Sequence, residues 1–173
     1  GLPNPLVVEW AVNERAVGRA LVVGCGLGED AVFLEQLGWD VIAFDISPTA
    51  VEWAEDMNLD SKVEWVTADL LDTPEEWVAA FDLVLEVHTL QAMPESIRLL
   101  ASPILPTLVR EGGHLVCIGR YQTEEGPHEG PPWPLPRPFI ETIGEALTMG
   151  DFTIRSLPDD EPDVSRFRAV WRV

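Results

Sequence analysis

Three alternating glycines and one distant aspartate carry the first chemical signal in the chain. In "ALVVGCGLGEDAVFLEQLGWDVIAFD", residues 20–45, Gly24, Gly26 and Gly28 stand between an apolar run and a helix-like run, and Asp45 closes the next apolar run. Residues without a Cβ let the backbone turn tightly and let a ligand come close. An acid 17 residues after the last of these glycines stands where doubly wound folds bind the hydroxyls of a ribose. Together they point to an adenosine-type ligand. A dinucleotide fingerprint asks for a third glycine where this chain has Glu29, and a carboxylate beside a pyrophosphate is repelled, so NAD fits poorly. A cationic centre with an amino-acid tail suits an acidic site better. S-adenosylmethionine is such a ligand, with ribose hydroxyls for Asp45 and a sulfonium that acidic surroundings tolerate.

These residues need a scaffold of alternating strands and helices. "RALVVG", "DVIAFD", "KVEWVTAD", "FDLVLEV" and "HLVCIGR" read as five short strands, the first, second and fourth nearly all apolar. Between them lie helical runs. "NPLVVEWAVNE" starts behind Asn4 with Pro5 in its first turn, and "EDAVFLEQLG" closes at Gly38. "SPTAVEWAEDM" has Ser47 as N-cap and Pro48 behind it. "TPEEWVAAF" sets Thr73 and Glu76 at capping-box spacing. "PESIRLLASPILPTLVREGG" is expected as one long helix, bent at Pro103 or Pro106 and stopped by Gly112 and Gly113. After "YQTEEGPHEGPPWPLPRP", a loop rich in proline and glycine, come a helix in "PFIETIGEALT" and two strands, "DFTIRSL" and "SRFRAVWRV", joined by an acidic turn. The expectation is one α/β domain over residues 1–173: a seven-stranded, mostly parallel, doubly wound sheet ending in an antiparallel C-terminal strand hairpin. Its ligand would sit at the carboxyl ends of the strands, where strand order reverses.

Composition narrows the partners. The chain has 173 residues, 46% of them hydrophobic, enough for a real core. A formal charge of −19 with a single lysine, Lys62, and scattered arginines argues against nucleic acid or an anionic membrane. No apolar run approaches the roughly 20 residues of a membrane span, and nothing reads as a signal peptide. Two cysteines, Cys25 and Cys117, both in apolar contexts, make no disulfide framework, and a reducing cytoplasm is the default. No cysteine–histidine spacing resembles a zinc site, so no metal is expected. A monomer or homodimer acting on a small molecule is the expected state.

The order "VVGCGLG", "AFDIS", "TADLLD", "FDLVLE", "LVREGGHLVCIG" is similar to the successive motifs of class I S-adenosylmethionine-dependent methyltransferases, over nearly the whole chain. More narrowly, "ALVVGCGLGEDA", "LEVHTLQAMPESIR" and "EGPPWPL" resemble the thiopurine and thiol (or halide) methyltransferase group. That group also lacks the first-strand acid of other class I enzymes, here Val22, and often carries an aspartate where Asp30 stands. The resemblance implies a Rossmann-like methyltransferase fold. It implies that Gly24, Cys25, Gly26 and Gly28 wrap the methionine portion of the cofactor and that Asp45 takes both ribose hydroxyls. Ile46 and Ser47 would flank the adenine, although Ser47 is equally an N-cap. Asp69 would accept from the adenine amine, with Leu70 as a backbone contact. Relatives usually place an aromatic N-terminal segment over the cofactor; here that lid is expected to be absent or to lie outside these residues.

Other polar residues have competing readings. Glu86 ends the fourth strand and points to the centre of the site, where it could bind the cofactor's ammonium or orient a substrate. Burying it without a partner would be expensive, so it is expected to be paired or functional. His88 is the best general-base candidate but could equally cap a helix. Tyr121 and Trp133 could wall an acceptor pocket, or Trp133 could simply pin the loop. Arg98 matches a basic residue of the thiol group, and a surface ion pair explains it as well. Cys25 has no base beside it and is a backbone contact at most. Trp10, Trp53, Trp65 and Trp77 read as core.

Methyl transfer is an in-line displacement whose electrophile arrives activated, so alignment and exclusion of water are what the protein adds. A thiol ionises near pH 8.5 and needs no strong base. An oxygen acceptor would lean on His88 or Glu86, and an amine needs a site that keeps it neutral. The expected reaction is methylation of a small acceptor, a thiol by resemblance. O- or N-methylation and a non-catalytic S-adenosylmethionine-binding protein are the alternatives.

Overall fold

A computed structural model describes residues 1–124 and 128–173. Residues 125–127, within the stretch expected as a proline-rich loop, lie outside the described residues. Seven strands form one sheet: β1 (Arg19–Val23), β2 (Asp40–Asp45), β3 (Glu64–Thr67), β4 (Phe81–Val87), β5 (Val109–Tyr121), β6 (Thr148–Arg155) and β7 (Ser165–Arg172). Their order is β3-β2-β1-β4-β5-β7-β6. The first five pair in parallel; β7 runs antiparallel between β5 and β6. This is the expected Rossmann-like architecture, with the reversed strand last in sequence and β6 at the edge. Strand order reverses at β1, whose neighbours are β2 and β4, and the glycine loop leaves the sheet there.

Side-chain alternation along the central strands builds two cores. Leu21 and Val23 of β1 join Phe44, Trp77, Phe81, Leu105 and Ile140 on one face. Ala20 and Val22 join Leu6, Trp10, Ala31 and Leu34 on the other. A strand buried on both faces must be apolar at every position, which is why "ALVV" shows no polar alternation. The helices are α1 (Pro5–Ala11), α2 (Glu29–Gln36), α3 (Pro48–Met57), α4 (Thr89–Ala92), α5 (Glu95–Ala101) and α6 (Arg137–Ile143). Asn4 caps α1 by accepting from Leu6 N–H, and Ser47 caps α3 by accepting from Ala50 N–H. No helix among the described residues is long and apolar enough to cross a membrane.

Four local expectations are corrected. The long helix after β4 ends at Ala101 and continues as a 3-10 helix over Ser102–Leu108, because Pro103 and Pro106 each lack the N–H of an α-helical bond. Gly112 and Gly113 do not stop it; they lie inside β5, beside a register shift against β4. Thr73 and Glu76 form no capping box: the short 3-10 turn Glu75–Trp77 starts behind Pro74 with no side-chain cap. Trp53 is 60% exposed on α3, one step around the helix from buried Val51 and Ala54.

Candidate active site

The loop after β1 turns because three residues adopt positive φ: Gly24 (62°), Gly26 (54°) and Gly28 (87°). Each has a separate spatial reason. A Cβ on Gly24 would lie 2.3 Å from Thr89 Oγ1, and one on Gly28 would meet the Trp65 ring. Beside Gly26 there is nothing within 4 Å, so the bare backbone there faces open space. Asp45, at the end of β2, ties the loop in place. Its Oδ2 accepts from Gly26 N–H (3.1 Å) and its Oδ1 from Ser47 N–H (3.0 Å). A carboxylate oxygen has two lone pairs, so one acceptor position remains on each.

A cleft of about 420 Å³ opens at these strand ends, bordered by Gly24, Asp45, Ile46, Asp69, Leu70, His88, Thr89 and Met93 among others. Its size lies within the usual range for small-molecule sites, about 300–1,000 Å³. Ile46 is 68% exposed, an apolar side chain left open at the cleft wall. Asp69 caps the 3-10 turn Leu70–Asp72 through Leu71 N–H (2.9 Å). Among the described residues no arginine or lysine borders the cleft. Two carboxylates, an apolar wall and a bare glycine backbone fit an adenosine bearing a cationic sulfonium and do not fit a pyrophosphate. Burial, with Asp45 nearby, pushes the Cys25 thiol up to about 12, leaving it protonated.

The structure thus brings Gly24, Asp45, Ile46, Asp69, Leu70 and His88 together around one cleft. Cys25, Gly26, Gly28 and Ser47 frame it, and the Ser47 hydroxyl is occupied as a cap. Glu86 is repositioned relative to the sequence expectation. It is 1% exposed and does not border the cleft; its Oε1 accepts from Leu90 N–H (2.9 Å), and the Cys117 thiol lies close enough to help offset the effect of burial. Burial raises it to about 7 despite these contacts. Its partners make it the anchor of α4. Arg98 also lies away from the cleft: it donates to Met93 O (3.2 Å), with its guanidinium over the Phe139 ring. Trp133 packs its ring on Gly130 and borders neither the cleft nor the hollow beside it. Tyr121 sits edge-on to Phe152 and borders a separate hollow of about 220 Å³.

His88 begins α4 with φ 60° and ψ 0°, a left-handed conformation uncommon outside glycine. It persists because its neighbours are fixed: His88 N–H donates to Ile118 O (3.0 Å), and Thr89 Oγ1 donates to Val23 O (2.9 Å). The ring has both nitrogens engaged. Nδ1–H donates to Gln91 Oε1 (3.0 Å), and Nε2 accepts from Arg166 Nη1 (3.2 Å). Burial lowers its pKa, the Gln91 bond opposes that, and Arg166 and Arg120 lower it further. The imidazole is therefore neutral, and its free lone pair already faces a guanidinium. It forms the wall between the cleft and a second hollow of about 380 Å³ bordered by Arg120, Pro132, Asp160 and Arg166.

Two residues at the site carried no sequence signal. Thr89 closes the glycine loop against α4. Gln91 is 1% exposed, and its amide links three segments: Nε2 donates to Arg120 O (2.7 Å) and Trp133 O (2.8 Å), while Oε1 accepts from Arg120 N–H (2.7 Å) and His88. Its main-chain oxygen also accepts from Trp133 N–H (3.0 Å). The proline-rich segment is thereby fastened to α4 and β5.

Comparison with known proteins bears on the family and the fold. The chain is 29% identical over 121 residues to "Probable thiol methyltransferase 2" of Arabidopsis thaliana, covering 68% of this chain and 54% of that one, about half the relative's length. Among solved structures it is similar to the N-methyltransferase NodS from Bradyrhizobium japonicum WM9 in complex with S-adenosyl-l-homocysteine. There the TM-score is 0.77 and the identity 19%, over 96% of this chain and 83% of that one. It is also similar to 1,6-didemethyltoxoflavin-N1-methyltransferase from Burkholderia thailandensis, with TM-score 0.76 and 17% identity over 98% and 76% of the two chains. These likenesses show the shared fold. The family model described as thiopurine S-methyltransferase (TPMT) matches residues 3–170. S-adenosylmethionine is the cofactor of this family. With nearly its whole length under that match, the chain belongs to the thiopurine S-methyltransferase family.

Proposed function

We propose that the chain transfers the methyl group of S-adenosylmethionine to the sulfur of a small-molecule thiol. The observation that carries the choice of sulfur is His88: it is neutral, both ring nitrogens are engaged, and it shares a hollow with Arg120 and Arg166, where Asp160 is held by Arg166 and Asp159 and Glu161 are exposed to solvent. Such a site offers positive charge in place of proton abstraction. A thiol, ionising near pH 8.5, needs only that, because cations stabilise the thiolate that attacks. The name of the Arabidopsis relative supports the same acceptor class.

Bound in the cleft, the cofactor supplies an activated methyl group on a sulfonium. Asp45 accepts from the ribose hydroxyls with the two positions its backbone partners leave. Ile46 and Leu70 provide the apolar surface for the adenine, and Asp69 accepts from its amino group. Gly24 and Gly26 leave room for the methionine portion, and Glu86 acts at one remove by holding α4. His88 stands at the edge shared by the cofactor cleft and the acceptor hollow, beside the path the thiolate takes to the methyl carbon, and the chain around Pro132 and Trp133, fastened by Gln91, limits water on the acceptor side.

The test is incubation with methyl-labelled S-adenosylmethionine and matched thiols, phenols and amines. Labelled thioethers formed in preference to ethers or methylamines support the proposal. Preferred labelling of phenols or amines makes the chain an O- or N-methyltransferase. Tight S-adenosylhomocysteine binding with no labelled product makes it a binding protein.

A further inference from the structure

Among the described residues most arginines have evident structural partners. Arg19, Arg110, Arg137, Arg155, Arg166 and Arg168 pair with carboxylates, and Arg98 is covered by Phe139. Arg120 differs. It is half-buried at the end of β5, and its guanidinium makes no hydrogen bond or ion pair among the described residues. Yet its backbone is held on both sides by the buried Gln91 amide, and its carbonyl also accepts from Leu135 N–H (3.0 Å). A rigid main chain therefore presents a cationic fork with no hydrogen-bond or ion-pair partner among the described residues, although its charge helps hold the Arg166-bound Asp160 carboxyl below its ordinary range. That fork borders both hollows beyond His88, of about 380 and 220 Å³.

Arg166 faces it across the larger hollow with its own charge largely committed: Nε donates to Asp160 (2.9 Å) and Nη1 to His88. The other carboxylates here, Glu124, Glu129, Asp159, Glu161 and Asp163, stand on the exposed rim, where solvent and salt screen them. The inner wall is cationic and the rim acidic. This arrangement favours one compact anionic group over a polyanion, and the planar fork of an arginine matches a carboxylate in two-point geometry.

We propose that Arg120, supported by Arg166, binds a carboxylate on the methyl acceptor, so that the preferred acceptor is a small thiol bearing a carboxylic acid. This rests on the proposed thiol methylation. A carboxylate anchored at Arg120 lies across His88 from the Asp45 cleft, which leaves the thiol end of the molecule to reach past His88 toward the cofactor.

The experiment uses 3-mercaptopropionate and 4-mercaptobenzoate, each against its methyl ester. Binding to the protein loaded with S-adenosylhomocysteine is measured by calorimetry for wild type and Arg120→Gln. Wild type is expected to bind at least one acid about tenfold more tightly than its ester, and the variant to lose that ratio with cofactor affinity unchanged. Equal or weaker binding of both acids by wild type, no measurable binding of either, or an equal loss for acid and ester in Arg120→Gln overturns the proposal. Methyl transfer to the same thiols is read separately. Charge-dependent binding without transfer establishes the carboxylate site and overturns the thiol reading instead.

Discussion

Replacing Gln91 by methionine should damage the protein far more than its position on a four-residue helix suggests. Methionine is apolar, unbranched and of similar length, so it fills the space without a large cavity. It removes four side-chain hydrogen bonds at once. Arg120 O keeps its bond from Leu135 N–H, and the half-buried His88 Nδ1 can turn to water. Arg120 N–H and Trp133 O lose the partners described for them. A buried polar group left unsatisfied costs about 1–3 kcal/mol, so two cost about 2–6 kcal/mol, against a typical total stability of about 5–15 kcal/mol. With a urea dependence of about 1–3 kcal/mol per molar for a small domain, the midpoint should fall by at least about 0.7 M. The assay is urea unfolding followed by tryptophan fluorescence and by circular dichroism. An unchanged slope with a shift below about 0.3 M would refute the reasoning, because it would mean that neither group is truly desolvated.

Three further outcomes follow from the same geometry. Glu86 is raised to about 7 in the folded protein from an ordinary 4.5, so the native state binds the proton more tightly than the unfolded chain. Its contribution is fully present below about pH 4.5 and declines until pH passes about 7. Stability of wild type relative to Glu86→Gln should therefore fall across that window, and a difference that does not vary with pH would contradict it. Gly26→Ala should lose about 1–2 kcal/mol of stability from its positive φ alone and should also weaken S-adenosylhomocysteine binding, because its methyl enters the open space; unaltered affinity would remove that space from the site. His88→Asn, a residue that tolerates left-handed backbone, should leave thiol methylation within several-fold of wild type, whereas a loss on the order of 10²-fold would mark His88 as a general base.

The parts of this molecule set by nearest neighbours were legible in the chain. Asn4 and Ser47 cap the helices they precede because capping acts across two or three residues. The apolar runs at residues 20–23 and 83–85 read as central strands of a covered sheet. The glycine loop and Asp45 were readable because a positive φ and a strand end leave type and spacing as a record. What escaped was set at long range. Gln91 bonds to Arg120 and Trp133, 29 and 42 residues away, and α4 is too short for any periodicity to register. Glu86 could be expected to be paired, but its partner, Leu90 N–H, and its neighbour across the sheet, Cys117, depend on how α4 and β5 meet β4. Thr73 and Glu76 had capping-box spacing, yet the turn behind Pro74 is only three residues long. Arg120 carried no signal because the Gln91 clamp that presents it was itself unseen.

Whether the Asp45 cleft binds the cofactor is the point on which everything else depends, and calorimetric titration with S-adenosylhomocysteine answers it most directly, using wild type and Asp45→Ala with NAD as the competing ligand. Wild type should bind S-adenosylhomocysteine saturably at one site, Asp45→Ala should weaken that binding by about 1.5–3 kcal/mol, and NAD should neither bind nor compete. Unchanged affinity in Asp45→Ala, or NAD displacing S-adenosylhomocysteine, would contradict the assignment of this cleft.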